Sequence, residues 1–133
     1  MWLKLYLIAL PVFLALDGLW LGVVSRKFYR SQIGWLLADK PNWLAAGLFY
    51  ALFVAGIVFF VVQPALAKES GRHALFAGAF FGLVTYAAYD LTNQALTRDW
   101  PVLVTVVDLA WGMVLCATVS VATFLLARAF FHP

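Results

Sequence analysis

Charged residues are scarce in this chain: aspartate, glutamate, lysine and arginine make up only 11% of its 133 residues. Soluble domains carry about 25% charged residues. Hydrophobic residues make up 65% of the chain, more than the interior of a small soluble domain can enclose. The shortage of charge therefore excludes a soluble globular protein and indicates that most of the surface faces lipid.

Cysteine and histidine are almost absent as well, with one cysteine, Cys116, and two histidines. A single cysteine excludes an internal disulfide, and its place in an apolar run is typical of a small buried residue. The histidines lie near the ends of apolar segments, and no histidine and cysteine cluster has the spacing of a zinc or haem site. We therefore expect no metal and no cofactor.

Positive charge is present but not concentrated. The net charge is +3, and no basic run alternates with aromatic residues outside the apolar segments, so we expect no nucleic-acid partner. Lysines and arginines stand near the ends of apolar segments, where they can meet lipid head groups. The sequence thus predicts membrane lipids as the protein's surroundings.

Long apolar runs are what the chain has in abundance, and a helix needs about 20 such residues to cross the hydrocarbon core of a bilayer. Irregular loops and open sheet edges cannot face lipid, so we predict an all-α integral membrane protein. We expect a single domain, residues 1–133, of four antiparallel transmembrane helices connected up and down. The predicted spans cover about residues 2–24, 43–62, 73–96 and 102–130.

The longest connection, residues 25–42, joins the first two spans. It interleaves basic residues with aromatic and aliphatic ones, Arg26 and Arg30 with Phe28 and Tyr29 among them. This pattern is typical of a short amphipathic helix lying in the membrane interface. It is equally compatible with a loop held by its aromatic side chains.

Polar residues interrupt the third apolar run at helical spacing. The steps along the run are four, four, four, three and four residues, which places the members on one helix face. A charged side chain near the bilayer centre costs roughly 2.5–3.5 kcal/mol on insertion scales, so this face meets protein or water rather than lipid. Its members are Gly78, Gly82, Tyr86, Asp90, Asn93 and Thr97.

Three acids share one predicted depth. In an antiparallel arrangement, Asp17, Asp90 and Asp108 each lie roughly 10 Å below the same interface, counting 1.5 Å of rise per residue. We predict that they form one layer acting as acid/base or coupling groups. By depth or helix face, the binding wall around them is predicted to comprise Trp20, Tyr50, Tyr86, Tyr89, Asn93, Thr105 and Trp111.

Such a layer cannot keep three charges without a partner, because no basic residue lies at that depth. Three outcomes stay open: at least one acid is protonated, for which Asp90 is the first candidate, a cation is bound, or a water-filled cavity opens. The acids could also serve only as interhelical contacts. That role is weak, since polar contacts between membrane helices average about 0.6 kcal/mol.

One motif recurs: Asp17-x-x-Trp20 in the first span matches Asp108-x-x-Trp111 in the fourth. It is either a chance match between tryptophan-rich segments or a carboxylate and indole pair presented twice to one site.

Several blocks resemble the bacterial membrane proteins grouped as domain of unknown function 2177. They are Asp17-Gly-Leu-Trp-Leu-Gly22, Phe49-Tyr50, Tyr89-Asp-Leu-Thr-Asn93, Trp100-Pro101 and Asp108-Leu-Ala-Trp-Gly112. The family often has Gly-Thr before its Tyr-Asp pair, whereas this chain has Ala87-Ala88. The resemblance implies a small multi-pass protein of the bacterial inner membrane with about four spans, and it implies no particular reaction.

Three functions fit these features. The first is binding or processing of a lipid-like or small apolar molecule at an intramembrane acidic cavity. The second is a proton- or cation-coupled carrier, which a chain this short would form as a homodimer. The third is a membrane assembly subunit in which the acids are structural. An elongated ligand between the spans would favour the first function, and a polar path through a dimer would favour the second. A closed layer, with carboxylates bonded only to neighbouring helices, would favour the third.

Overall fold

The computed structural model describes residues 1–131, and helices account for nearly all of them, with no strand in that range. Four helices are long and apolar enough to cross a membrane, which confirms the predicted all-α, four-span architecture. A fifth, short helix lies between the first two spans. The helices are α1, Trp2–Val24; α2, Arg26–Ile33; α3, Trp43–Ala67; α4, Gly71–Leu96; and α5, Val102–Phe131.

Two spans contain a wider, π-helical turn. In α1 it is the last turn, Trp20–Val24, and in α3 it is Val58–Val62. The second of these turns precedes Pro64, whose ring removes one N–H donor from the helical ladder. The helix continues past Pro64 to Ala67, beyond the predicted end near residue 62, because the wider turn shifts the hydrogen-bond register before the proline.

Polar caps set the starts of the two middle spans. The side chain of Asn42 accepts a hydrogen bond of 3.1 Å from the backbone N–H of Ala45 at the start of α3. Ser70 does the same for the N–H of His73, at 3.0 Å, at the start of α4. Each cap satisfies a backbone donor that the first helical turn leaves free, so these spans begin where the sequence supplies a short polar side chain.

The most extensive helix pair is α4 with α5, and glycines make it possible. A Cβ atom on Gly78 would lie 2.8 Å from the carbonyl oxygen of Cys116. One on Gly82 would overlap the backbone of Gly112, and one on Gly112 would lie 2.5 Å from the ring of Tyr86. Small residues let the two backbones approach this closely, and the approach brings the polar face of α4 against α5.

The first span packs against α5 and against α3, around an apolar core. Phe13 of α1 and Phe53 of α3 meet with ring centroids 5.4 Å apart, and Leu115 of α5 is fully buried beside them. Large apolar side chains on the outer faces, Phe60 and Phe80 among them, are more than half exposed, as lipid-facing residues should be.

The short helix α2 covers one end of the bundle. Its Ile33 is buried against Trp100 and Val104 at the start of α5, and Phe28 and Tyr29 pack on the same cluster. This contact holds the connection between the first two spans over the end at which α4 and α5 meet.

The close approach of α4 and α5 predicts that Gly82→Leu destabilises the bundle by roughly 1–3 kcal/mol or more, since overpacking forces backbone shifts. Thermal unfolding in detergent, followed by circular dichroism, measures the effect. Gly47→Leu is the matched control, because a Cβ atom at Gly47 meets nothing within 4 Å. Equal melting temperatures for the two variants would contradict the glycine contact.

Candidate functional site

The three predicted acids are all buried. Asp17 of α1, Asp90 of α4 and Asp108 of α5 are 5%, 0% and 6% exposed. None of them faces lipid, in keeping with the high cost of a charge in hydrocarbon. Each comes from a different span, so the bundle, and not one helix, assembles the layer.

Asp17 is held by two hydrogen bonds from other spans. The hydroxyl of Tyr50 on α3 donates to one carboxyl oxygen at 2.9 Å, and the indole N–H of Trp111 on α5 donates to the other at 3.3 Å. One carboxylate thereby connects three spans. Because both of its oxygens have donors, Asp17 is the best satisfied of the three acids.

In the two Asp-x-x-Trp motifs, neither tryptophan bonds to the aspartate of its own motif. The indoles of Trp20 and Trp111 are stacked, with centroids 4.5 Å apart and planes 9° from parallel. Trp111, from the second motif, bonds to Asp17 of the first. The recurrence therefore corresponds to one shared arrangement between α1 and α5, with the stacked indoles between the two acids.

Tyr29 of α2, which lies outside the set of predicted site residues, links Trp20 to Asp108. Trp20 donates its N–H to the Tyr29 hydroxyl at 3.2 Å, and that hydroxyl donates in turn to the carboxylate of Asp108. Burial, followed by the hydrogen bond to Asp108, raises the pKa of Tyr29 above its ordinary value. Tyr29 therefore stays protonated and acts as a permanent donor to Asp108 at physiological pH.

A sequence signal for Tyr29 exists in retrospect. It stands four residues before the buried Ile33, so both lie on one face of α2. The sequence alone left the short helix and a loop as alternatives for this segment, and only a helix defines that face.

Asp90 is the exception in the layer. Its side chain is fully buried, yet no donor within residues 1–131 bonds to either of its carboxyl oxygens. The carboxyl of Asp108 is its acidic neighbour. Two carboxylates only accept hydrogen bonds, so this contact becomes a bond only if a proton is supplied to the pair. Asp90 thus has capacity for a donor that the described protein does not fill.

The remaining predicted residues divide between the layer and its borders. Tyr86 is partly buried, with its ring over Gly112 and edge-on to Phe53. Asn93 is partly buried about one turn beyond Asp90, and among residues 1–131 it makes no hydrogen bond to the acids. Tyr89 is 55% exposed and packs its ring against Trp100 at 5.7 Å.

Thr105 belongs to a second polar cluster, at the turn between α4 and α5. Its hydroxyl donates to the side-chain oxygen of Gln94 at 2.9 Å and accepts from the indole N–H of Trp100 at 3.1 Å. The amide of Gln94 bonds to the backbone oxygen of Trp100 at 2.8 Å. These bonds fasten the turn and do not reach the acids, so a ligand-binding role for Thr105 or Tyr89 stays a prediction.

A cavity of about 280 Å³ opens at the opposite end of the bundle. It lies between the start of α1 and the end of α3, and its lining includes Leu5, Gln63 and Leu66. None of its lining residues is acidic, so this cavity has no part in the acid layer. Within the described residues, no group of three or more histidine, cysteine, aspartate or glutamate side chains is arranged to hold a metal ion.

Comparison with known proteins identifies a family. The family model described as "Predicted membrane protein (DUF2177)" matches residues 2–125. The match covers nearly the whole chain, so the protein belongs to this family, as the resemblance in the sequence indicated. No curated protein and no solved structure matches the chain.

The bonds of Asp17 predict that Tyr50→Phe lowers the free energy of unfolding by about 1–3 kcal/mol, because a buried carboxylate oxygen then loses its donor. Chemical unfolding in detergent measures the change. Tyr89→Phe removes the same hydroxyl from a residue that is 55% exposed, and we expect it to change stability by no more than about 0.5 kcal/mol. Equal losses in the two variants would contradict a specific bond to Asp17.

Proposed function

We propose that this four-span membrane protein binds the polar end of a lipid-like or small apolar molecule at the buried acids between α4 and α5. The observation that supports this function is Asp90, whose carboxyl oxygens are both buried and without a donor in the described chain. The ligand supplies the missing hydrogen bond, and its apolar part remains among the spans or in the surrounding lipid.

The cost of leaving Asp90 unpartnered is the physical reason for a ligand. A polar group buried without a hydrogen bond costs roughly 1–3 kcal/mol in proteins, and an ionised carboxyl costs more. An asparagine or serine would provide an interhelical contact without that charge. A fully buried carboxyl beside a second one is therefore poorly explained as a structural contact, and a bound donor removes the difficulty.

Asp17 and Asp108 have different parts in this proposal. Asp17 holds α1, α3 and α5 together through Tyr50 and Trp111, so it shapes the wall of the site. Asp108 is oriented by Tyr29, so its carboxylate presents a fixed acceptor next to Asp90. Because Tyr29 belongs to α2, the short helix closes this side of the site, and ligand entry from that side requires its displacement.

A second candidate is a proton- or cation-coupled carrier acting as a homodimer. It is favoured by the neighbouring carboxyls of Asp90 and Asp108, since buried acids on membrane spans are the groups that carriers use to bind protons or cations. In that case the second copy would supply the rest of the pathway. A purely structural subunit is favoured by the interhelical bonds of Asp17 and Asp108, and it leaves Asp90 unexplained.

The location belongs to the same proposal. The four candidate spans support a multi-pass membrane protein, and we place it in the bacterial inner membrane because its spans are helical throughout. Membrane lipids surround it, and they are also the nearest source of a ligand with one polar and one apolar end.

The proposed function predicts that the purified protein retains an amphiphilic molecule that depends on Asp90. Wild type and Asp90→Asn are isolated in nanodiscs drawn from native membrane, and bound small molecules are identified by mass spectrometry. We expect wild type to retain one species that Asp90→Asn loses, because the amide removes the negative charge and one acceptor while preserving the shape. Asp39→Asn is the control, since Asp39 is exposed in the loop after α2. Identical contents in all three proteins would refute ligand binding at Asp90.

A further inference from the structure

We infer that the ligand of this site is an amine: a molecule whose polar end is a positively charged ammonium group and whose remainder is apolar. Amines are one class within the ligands of the proposed function, on which this assignment rests. The assignment follows from the distribution of hydrogen-bond donors and of charge around the acid layer.

Donors are shared unevenly among the three acids. Asp17 receives two, from Tyr50 and Trp111, and Asp108 receives one at a single oxygen, from Tyr29. Asp90 is fully buried and receives none from residues 1–131 at either oxygen. The layer therefore has acceptor oxygens that lack donors in the described chain. These oxygens are the two of Asp90 and the second oxygen of Asp108.

Positive charge is missing from the same place. The basic residues nearest to the acids along the chain are Arg26 and Arg98, and both are exposed at or beyond the ends of the spans. A buried carboxylate needs an opposite charge or a proton beside it. A neutral head group supplies no charge, and an anionic head group adds a repulsive one, so a cationic head group is the best complement.

The number of hydrogen-bond donors favours an ammonium among the cations. An ammonium carries three donors and no acceptor. The two oxygens of Asp90 and the oxygen of Asp108 that Tyr29 does not contact match it in number. A hydroxyl offers only one donor, and a phosphate or carboxylate offers none when ionised. Divalent metal ions prefer about six or more oxygen ligands, more than the oxygens that Asp90, Asp108 and Tyr29 bring together.

The surroundings suit the apolar remainder of such a molecule. Asp90 is flanked in the chain by Tyr89 and Leu91, which are 55% and 51% exposed on the outer surface of α4. An apolar tail attached to an ammonium at Asp90 can therefore extend along α4 toward lipid.

Three probes with one apolar chain test the head group directly: dodecylamine, dodecanol and dodecanoate. Each is radiolabelled in turn, and its saturable binding is measured to the full-length protein in phosphatidylcholine nanodiscs, with empty nanodiscs subtracted. We expect dodecylamine to bind roughly tenfold or more tightly than dodecanol, because hydrogen bonds to a charged group are the stronger kind. We expect no saturable binding of dodecanoate.

Two variants distinguish binding of the probe at Asp90 from its partitioning into the lipid. Asp90→Asn should lose the tight dodecylamine binding, and Asp39→Asn should retain it. Equal affinity for dodecanol and dodecylamine, with both lost in Asp90→Asn, would overturn the amine assignment while leaving ligand binding intact. Tighter binding of dodecanoate would also overturn it. An absence of saturable binding for all three probes would overturn both the amine assignment and the proposed function. If Asp90→Asn does not fold, the wild-type probe series still decides between head groups.

Discussion

The close approach of α4 and α5 is the constraint on which the rest of the bundle depends. Gly82 and Gly112 allow the two backbones to come nearer than any side chain would permit. That approach turns the polar face of α4 inward and brings Asp90 beside Asp108, away from lipid. Without it, the carboxyl of Asp90 would meet hydrocarbon, at a cost of several kcal/mol. The burial of the acids thus depends on the packing of the small residues.

The first span and the short helix α2 position the acidic side chains further through hydrogen bonds. Trp111 of α5 reaches Asp17 of α1, while Trp20 of α1 reaches Asp108 through Tyr29 of α2. Asp17 and Asp108 are therefore each positioned by elements other than their own helices. The π-helical last turn of α1 carries Trp20, and such turns are frequent at functional sites. Of the three acids, Asp90 alone has no donor among residues 1–131.

Much of this architecture could be predicted from the sequence, because few backbone structures can span a membrane. The scarcity of charge and the length of the apolar runs specify helices. The 3.6-residue period and the helix rise place Asp17, Asp90 and Asp108 inside one layer. The partners of these acids could not be predicted, because they depend on rotation and side-chain reach. Tyr29 is 79 residues from Asp108 in sequence, and Thr105 turned toward Gln94 and Trp100 although its depth is close to that of Asp108.

Asp90 and Asp108 should behave as one unit, and a double-mutant cycle tests this coupling most directly. The free energy of unfolding is measured for wild type, Asp90→Asn, Asp108→Asn and the double variant in the same detergent. In either single variant, the new amide can donate a hydrogen bond to the carboxyl that remains, whereas the double variant has no carboxyl at this contact. The second substitution should therefore change the free energy of unfolding by a different amount from the first. We expect a coupling energy of roughly 0.5–3 kcal/mol, the range for residues in contact. Additive effects, within about 0.3–0.5 kcal/mol, would show that the two acids act independently and would contradict it.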